Sequence, residues 1–172
     1  MKHLWSPWRM DYILGKKQKG CFFCKIQKEE EDRKNLILRR KKRAFVVMNR
    51  FPYSNGHLMI VPKRHCLDLG RLDDREFKEL SCLLKVSVQV LKASLHPAGF
   101  NIGINIGKAG GAGEEHIHFH IVPRWVGDTN FMPILGETKT IPEYLDETYQ
   151  KLHAVFRDLS RKGKGRRGGR EK

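Results

Sequence analysis

The sequence predicts an α+β fold: an antiparallel sheet of about five strands, one long helix packed across it, and a C-terminal helix. Three observations predict this fold. Short apolar runs bounded by turn residues, typical of strands, occur before and after the middle of the chain. An apolar stripe at helical spacing occupies the middle, and a second helical stripe follows near the end. A length of 172 residues suits one domain with its own core. We therefore divide the chain into an N-terminal arm (1–20), a single domain (21–159) and a tail (160–172).

The first half of the domain is predicted to be an antiparallel meander. The runs NLILRR from residue 35 and AFVVMN from residue 44 are strands joined by the basic turn KKR, and HLMIVP from residue 57 is a third strand. Between the last two lies RFPYSNG, whose proline, asparagine and glycine favour a turn. These three strands form one side of the sheet.

The long helix is predicted to begin at Asp73 or Asp74, either of which can cap it, and to end before Pro97 and Gly99. Its apolar stripe, predicted to lie on the sheet, comprises Phe77, Leu80, Leu84, Val88, Leu91 and Leu95. Two further strands follow, FNIGINIG from residue 100 and HIHFHIVP from residue 116, with a glycine-rich loop between them. They complete the sheet.

The C-terminal helix is predicted to begin at about Ile141, with Thr140 as N-cap and Pro142 in its first turn. One face carries Leu145, Thr148, Leu152, Val155 and Leu159. The last twelve residues hold seven basic side chains, one acidic side chain and no apolar residue, so we expect them to be disordered. They are either a solubilising tail or a weak, salt-sensitive contact with nucleic acid.

Composition narrows the class of partner and the compartment. The formal charge of +15 favours anionic partners such as nucleotides or nucleic acid. Neither a membrane span nor a signal peptide is visible, which predicts a cytoplasmic protein without structural disulfides. Cys66 and Cys82 are then expected to be core thiols, whereas the spacing of Cys21 and Cys24 suits a metal better than a redox pair, because the thioredoxin-like context is missing.

Three histidines alternate in the last predicted strand. On a strand His116, His118 and His120 share one face, with the outer α-carbons about 13 Å apart, so a single metal could collect two neighbours but hardly all three. A row of imidazoles suits phosphate chemistry better, with an accidental surface pattern as the alternative. In the preceding loop GKAGGAGEE, Gly111 and Gly113 would let backbone amides approach phosphate oxygens.

The segment HIHFHIV resembles the motif of the histidine triad superfamily, His-φ-His-φ-His-φ-φ with φ apolar, at all seven positions. The segment AFVVMNRFPYSNGHLMIVPKRH resembles the nucleotide-binding hairpin of that superfamily, and CFFC resembles its zinc pair. The flanks LWSPWRMDYI and PRWVGDTNF are most similar to the branch of diadenosine tetraphosphate phosphorylases and their relatives. The resemblance implies a nucleotide-binding enzyme with a HIT-like fold.

The resemblance also implies roles for individual residues. His118 would be the nucleophile that attacks the α-phosphorus, with its other ring nitrogen bound to the main-chain carbonyl of His116. His120 and His57 would hydrogen-bond the phosphate oxygens. Asn49 would hold the ribose hydroxyls, although an asparagine that caps a turn explains the residue equally simply.

A metal and a quaternary structure follow from the same resemblance. Cys21, Cys24, His65 and His116 would hold a structural zinc ion, and no catalytic metal is required. Two such domains would pair as a homodimer.

The expected reaction is cleavage of dinucleoside polyphosphates, such as diadenosine tetraphosphate, through a covalent nucleotidyl-histidine. The branch favours orthophosphate over water as acceptor, but Ala112 stands where relatives carry glutamine or serine, so help from that side chain is in doubt. A nucleoside phosphoramidase is the alternative within the superfamily, and His120 argues against uridylyltransferase-like transfer because that branch has glutamine there. A basic zinc-containing nucleic-acid-binding protein is the alternative from another class.

Overall fold

The computed structural model describes residues 20–128, 141 and 143–165, with side chains in the last helix as far as residue 159. Nearly all of the predicted arm, the predicted N-cap Thr140 and first-turn Pro142, and residues 166–172 lie outside the described residues. In the described ranges, no helix has the length and apolar character needed to cross a membrane.

The sheet has five antiparallel strands in the order β1-β2-β3-β5-β4. The strands are β1 (Ile37–Arg40), β2 (Ala44–Met48), β3 (Leu58–Pro62), β4 (Gly99–Ile104) and β5 (Phe119–Arg124). All of β2 and β3 is buried, because these central strands are covered by the helices and by the rest of the core. The predicted α+β fold with an antiparallel sheet is confirmed.

The histidine segment joins the sheet later than predicted. Strand β5 begins at Phe119, so His116 and His118 precede the ladder. The His116 carbonyl accepts a hydrogen bond from the His118 side chain at 2.7 Å. This side-chain bond takes the place of the backbone hydrogen bond that the carbonyl would accept in a regular sheet. Ile117 instead donates its amide to the carbonyl of Cys66 at 2.7 Å, and Cys66 is buried as predicted.

The long helix, α2 (Asp74–Leu95), begins with a capping box in which Asp73 and Glu76 each bind the other's backbone amide. Its buried face is rotated from the predicted stripe and comprises Glu76, Leu80, Leu83, Ser87, Val90 and Leu91. Phe77 was wrongly placed in the core, since 46% of it is exposed. Cys82 is also exposed rather than a core thiol. Leu84, Val88 and Leu95 of the predicted stripe are partly buried and pack against the core, and Glu76 faces inward with its carboxylate bound by Arg64.

Helix α3 (Leu145–Gly165) begins about four residues later than predicted. Its start is delayed because the Glu143 carboxylate is bound by Thr148 and Asn55, which holds the preceding segment against the sheet. The buried side chains include Thr148 and Leu152 as predicted, and Tyr149 and Phe156 in addition, whereas Leu159 is exposed. The helical backbone passes the predicted domain end at residue 159, so the predicted disordered tail begins inside the helix.

A short helix that the sequence did not predict, α1 (Phe22–Ile26), precedes β1. It begins at Cys21, whose sulfur accepts the amide of Cys24 at 3.5 Å, and it buries Phe23 and Ile26 in the core. Together with a 3-10 turn at Leu69–Arg71, it brings the cysteine pair beside the histidine segment.

Candidate active site and metal centre

The three alternating histidines lie in three different environments. The rings of His116 and His118 are buried, at 1% and 5% exposure, and His120 is half-buried. His116 faces the cysteine pair, whereas His120 faces His57 from β3. His118 lies between them, with its ring centroid 4.6 Å from that of His120. The strand spacing predicted that the three side chains would not converge on one metal, and their positions agree with this.

His118 has the hydrogen bonding expected of a nucleophilic imidazole. Its Nδ1 donates to the carbonyl oxygen of His116 at 2.7 Å, as predicted, which leaves the lone pair on Nε2. Phe23 packs against the ring at a centroid distance of 4.9 Å. Burial lowers the pKa of His118, with partial opposition from the bond to His116, so the ring is neutral at pH 7. The site thus holds an oriented, neutral imidazole.

A chain of hydrogen bonds fixes the protons of the neighbouring histidines. The Asn49 side-chain oxygen accepts the amide of Phe51 at 2.9 Å, so its nitrogen faces His57 Nδ1 at 3.3 Å. The backbone amide of Tyr53 also donates to His57 Nδ1, at 3.2 Å. His57 therefore carries its proton on Nε2 and donates it to His120 Nδ1 at 2.9 Å. His120 in turn keeps a proton on Nε2 as a donor.

This chain changes the predicted role of His57. Its ring is buried, with 1% exposure, and its Nε2 is engaged by His120 rather than directed at a ligand. Burial, followed by the charge of His118, lowers the pKa of His120 to about 4, which keeps that ring neutral too. His57 is placed to orient His120, and contact of His120 with a phosphate stays a prediction.

Asn49 caps a turn and also contacts a histidine of the site. Its oxygen closes a turn with Phe51, as a capping asparagine does, and its nitrogen contacts a histidine of the site. Contact with a ribose stays a prediction.

The glycine-rich loop is closed by its own backbone. Gly111, at φ +79°, donates its amide to the carbonyl of Lys108 at 3.0 Å, and Ala112 donates to that of Gly107 at 3.2 Å. The left-handed conformation at Gly111 explains glycine at that position. Binding of phosphate by Gly111 and Gly113 stays a prediction, and for Gly111 it requires the amide to leave Lys108.

Four side chains form a compact metal-binding group: Cys21, Cys24, His65 and His116. Their ligand atoms all lie within 4.8 Å of one another. His116 Nδ1 is 3.2 Å from the sulfur of Cys21 and 3.7 Å from that of Cys24, and His65 Nδ1 is 3.5 Å from the sulfur of Cys24. Donors around a tetrahedral ion with bonds of about 2.0 to 2.3 Å are separated by similar distances. The donor set fits zinc.

The surroundings of His116 favour a metal ligand as well. Its Nε2 donates to the carbonyl of Pro62 at 2.9 Å, so the lone pair of Nδ1 faces the thiols. Burial lowers the pKa of His116 to about 4 and raises the pKa of Cys21 to about 11. In the protein alone, both groups are therefore neutral at pH 7.

A family model described as the HIT domain matches residues 29–126, more than half of the chain. The chain belongs to the HIT family. A protein named AP-4-A phosphorylase from Mycobacterium tuberculosis is 38% identical over 161 residues, which cover 88% of this chain and 83% of that protein. An adenosine 5'-monophosphoramidase from Schizosaccharomyces pombe is 32% identical over 105 residues, or 61% of this chain and 74% of the relative.

A solved structure supports the fold of this HIT protein. The crystal structure of a Zn-bound histidine triad family protein from Mycobacterium smegmatis is similar with a TM-score of 0.68 at 26% identity. The similarity covers 82% of this chain and 96% of that one. The predicted HIT-like fold is confirmed.

Two aromatic residues beside the HIT motif were missed by the sequence analysis. Phe23 packs on both His116 and His118, and Tyr53 stacks on His57 with ring centroids 4.8 Å apart. Phe23 stands between the two cysteines, and Tyr53 stands four residues before His57. In both cases the sequence signal was an aromatic residue close to a cysteine or histidine of the site.

Proposed function

We propose that this HIT protein is a nucleotide phosphorylase or hydrolase that cleaves dinucleoside polyphosphates, such as diadenosine tetraphosphate, at the α-phosphate. The observation that carries the proposal is the bond from His118 Nδ1 to the His116 carbonyl, which leaves Nε2 of a neutral ring as a nucleophile. Family membership and the relative named AP-4-A phosphorylase support this enzyme class.

The reaction has two steps. His118 Nε2 attacks the α-phosphorus, and the bond to the leaving nucleotide breaks with its electron pair on the departing oxygen. An oxygen of the acceptor then attacks the phosphorus, and the P–N bond breaks with its electron pair returning to Nε2. In both steps His120 Nε2–H is placed to stabilise charge on the phosphate oxygens, because His57 holds the opposite nitrogen as an acceptor.

Orthophosphate is the favoured acceptor, so that diadenosine tetraphosphate and phosphate would give ATP and ADP. The M. tuberculosis relative, which matches most of this chain, is the support for phosphorolysis. The side chain of Ala112 has no hydrogen-bonding group, so the acceptor would be held by other groups of the site.

The test is incubation with diadenosine tetraphosphate, with and without orthophosphate, followed by chromatography of the nucleotides. ADP and ATP formed only with phosphate would establish a phosphorylase, and AMP and ATP formed without it would establish a hydrolase. His118→Ala should lose activity by at least about a thousandfold, as loss of a nucleophile does in enzymes of covalent mechanism. Activity retained in this variant would refute His118 as the nucleophile.

A nucleoside phosphoramidase is the second candidate. The similarity to the S. pombe adenosine 5'-monophosphoramidase favours it, although that match covers less of this chain. Adenosine 5'-phosphoramidate presents the same α-phosphorus with a smaller leaving group. Turnover of this compound combined with none of diadenosine tetraphosphate would decide for the phosphoramidase.

Zinc is the metal we propose for the Cys21, Cys24, His65 and His116 group. A closed set of two thiolates and two imidazoles is a structural zinc site, and the ion would supply cross-linking of α1 to the histidine segment. His116 would then be fixed from both ring nitrogens, by the ion and by Pro62, and the carbonyl that orients His118 would be fixed with it.

A homodimer is proposed from the free edge of the sheet. Among the described strands, β4 pairs only with β5, and half of its residues are exposed. Ile102 on β4 and Phe77 on α2 are each 46% exposed, and Phe77 contacts Phe119 beneath them. A second copy that paired along β4 would cover these apolar groups. Phe77→Glu should shift the mass in light scattering from dimer to monomer. Leu159→Glu should not, because Leu159 is exposed on α3, which packs against β1 at the other end of the sheet.

The basic tail is proposed to contact nucleic acid weakly in a cytoplasmic protein. Its support is the excess of six positive charges over residues 161–172. Affinity for single-stranded RNA should fall steeply with salt, and it should be weakened by deletion of residues 166–172, which carry three of these six net positive charges. Equal affinity of the shortened chain would rule out this contact.

A further inference from the structure

The turn before β3 carries the groups that orient His120. His57 donates its amide to the carbonyl of Ser54 at 3.1 Å, which closes the turn, and Tyr53 supplies the amide that fixes the His57 ring. Gly56 sits at φ +70° directly against Leu95, so the turn is packed on the end of α2. The position of this turn determines where His57, and through it His120, stands.

The first turn of α3 holds the same turn from its other side. The hydroxyl of Thr148 lies 2.6 Å from a carboxylate oxygen of Glu143 and 2.9 Å from the side-chain oxygen of Asn55. The side-chain nitrogen of Asn55 donates to the same Glu143 oxygen at 3.3 Å. Thr148 is fully buried, and Lys151 forms an ion pair with Glu143. Thr148, Glu143 and, through Glu143, Lys151 thus link α3 to Asn55.

The Glu143 carboxylate is charged at neutral pH. Burial alone would raise its pKa, but hydrogen bonds from Lys151, Thr148 and Asn55 outweigh burial and hold the pKa below its usual value. Charged hydrogen bonds are stronger and more directional than neutral ones, so this group can fix the turn. Both Glu143 and Thr148 lie beyond residues 29–126, the part of the chain that matches the HIT domain.

We propose that Glu143 and Thr148 are positioning residues of the active site, which hold the Asn55 turn so that His57 presents His120 to the α-phosphate. This proposal rests on the proposed function, in which His120 contacts that phosphate. A displacement of about 1 Å in such a contact can cost up to about a hundredfold in rate. The C-terminal helix is then part of the catalytic apparatus rather than only a cover for the core.

The test uses Thr148→Val, which keeps the shape of the side chain and removes the hydroxyl. We expect kcat to fall several-fold and KM to rise, so that kcat/KM falls by about tenfold or more, because the His120 contact holds the phosphate of the bound substrate and strengthens in the transition state. Thr148→Ser keeps the hydroxyl and should restore most of kcat. Asp146→Asn is the control on the same helix: it weakens the ion pair with Arg33 and leaves the turn untouched.

A second set of variants separates positioning from stability. In a His120→Ala background, Thr148→Val should cost no further activity, because the two residues act through one contact. Equal losses of kcat in Thr148→Val and Asp146→Asn, or full additivity with His120→Ala, would overturn the proposal. If Thr148→Val does not fold, Asn55→Ala breaks the same tie from the turn and is judged by the same criteria.

AMP binding distinguishes failure of this proposal from failure of the proposed function. Absence of turnover in the wild-type protein would count against the dinucleoside polyphosphate substrate, not against positioning. Titration calorimetry with AMP then decides, since its phosphate would contact His120. A loss of about fivefold or more in AMP affinity in Thr148→Val, restored in Thr148→Ser, supports positioning, and unchanged affinity overturns it.

Discussion

Gly56→Ala is predicted to destabilise the protein, because the added methyl group would clash with side chains at the end of α2. An added β-carbon would lie 2.5 Å from Leu95 Cδ1, 3.2 Å from Leu91 Cδ2 and 3.6 Å from a Pro123 side-chain atom. The first two distances force the leucine side chains to move within a packed region, which typically costs about 1 to 3 kcal/mol. Alanine at φ +70° adds about 1 to 2 kcal/mol.

The combined loss is about 2 to 5 kcal/mol, toward the lower end because the Leu95 side chain can swing away. For a chain of this size that corresponds to a fall in Tm of roughly 4 to 20 °C, again toward the lower end. Urea unfolding followed by circular dichroism measures the free energy of unfolding directly.

Gly127→Ala is the matched control, because Gly127 has φ +79° and no atom within 4 Å of an added β-carbon. It should lose only the conformational part, about 1 to 2 kcal/mol. The difference between the two variants isolates the contact of the turn with α2. Equal losses in both variants would refute the claim that this turn is packed tightly against Leu91 and Leu95.

The other predictions concern the metal group and acid stability. The wild-type protein should hold about one zinc ion per chain, measured by mass spectrometry of the metal. Cys24→Ser should lose most of this zinc, whereas Cys82→Ser should keep it. Equal zinc content in the two variants would contradict the site. The hydrogen bond from Arg64 lowers the pKa of Glu76 in the folded protein. The stabilisation of the fold by this ion pair is therefore complete above the unfolded pKa of about 4.3, and it is lost as pH falls through the lower folded value. Glu76→Gln should therefore flatten the loss of stability below pH 4 in urea titrations, and an unchanged slope would contradict this assignment.

Much of the fold could be predicted because its signals are local. Short apolar runs between turn residues located the strands, and Asp73 or Asp74 as a cap located the start of α2. The rotation of α2 could not be predicted, since helical spacing gives a stripe without saying which of two adjacent apolar lines faces the sheet. Phe77 continues that stripe in sequence but is 46% exposed, with a ring contact to Phe119 of β5.

The metal group and the His118 contact followed from the resemblance to a known motif, and their geometry agrees with it. The role of His57 did not follow, because its bond to His120 depends on the distance between two strands and on the amide of Tyr53. The tie from Thr148 to Asn55 spans 93 positions of sequence and involves common polar residues. Spacing within the sequence carries no signal for such a contact.

The stereochemistry at the α-phosphorus tests the central claim most directly. A dinucleoside polyphosphate with one α-phosphorothioate of known configuration would be cleaved in the presence of orthophosphate, and the configuration of the resulting ADPαS determined by chromatography and phosphorus NMR. Attack by His118 followed by attack of the acceptor inverts the phosphorus twice, so the account predicts overall retention. Overall inversion would mean that the acceptor attacks directly, and it would contradict a nucleotidyl-His118 intermediate.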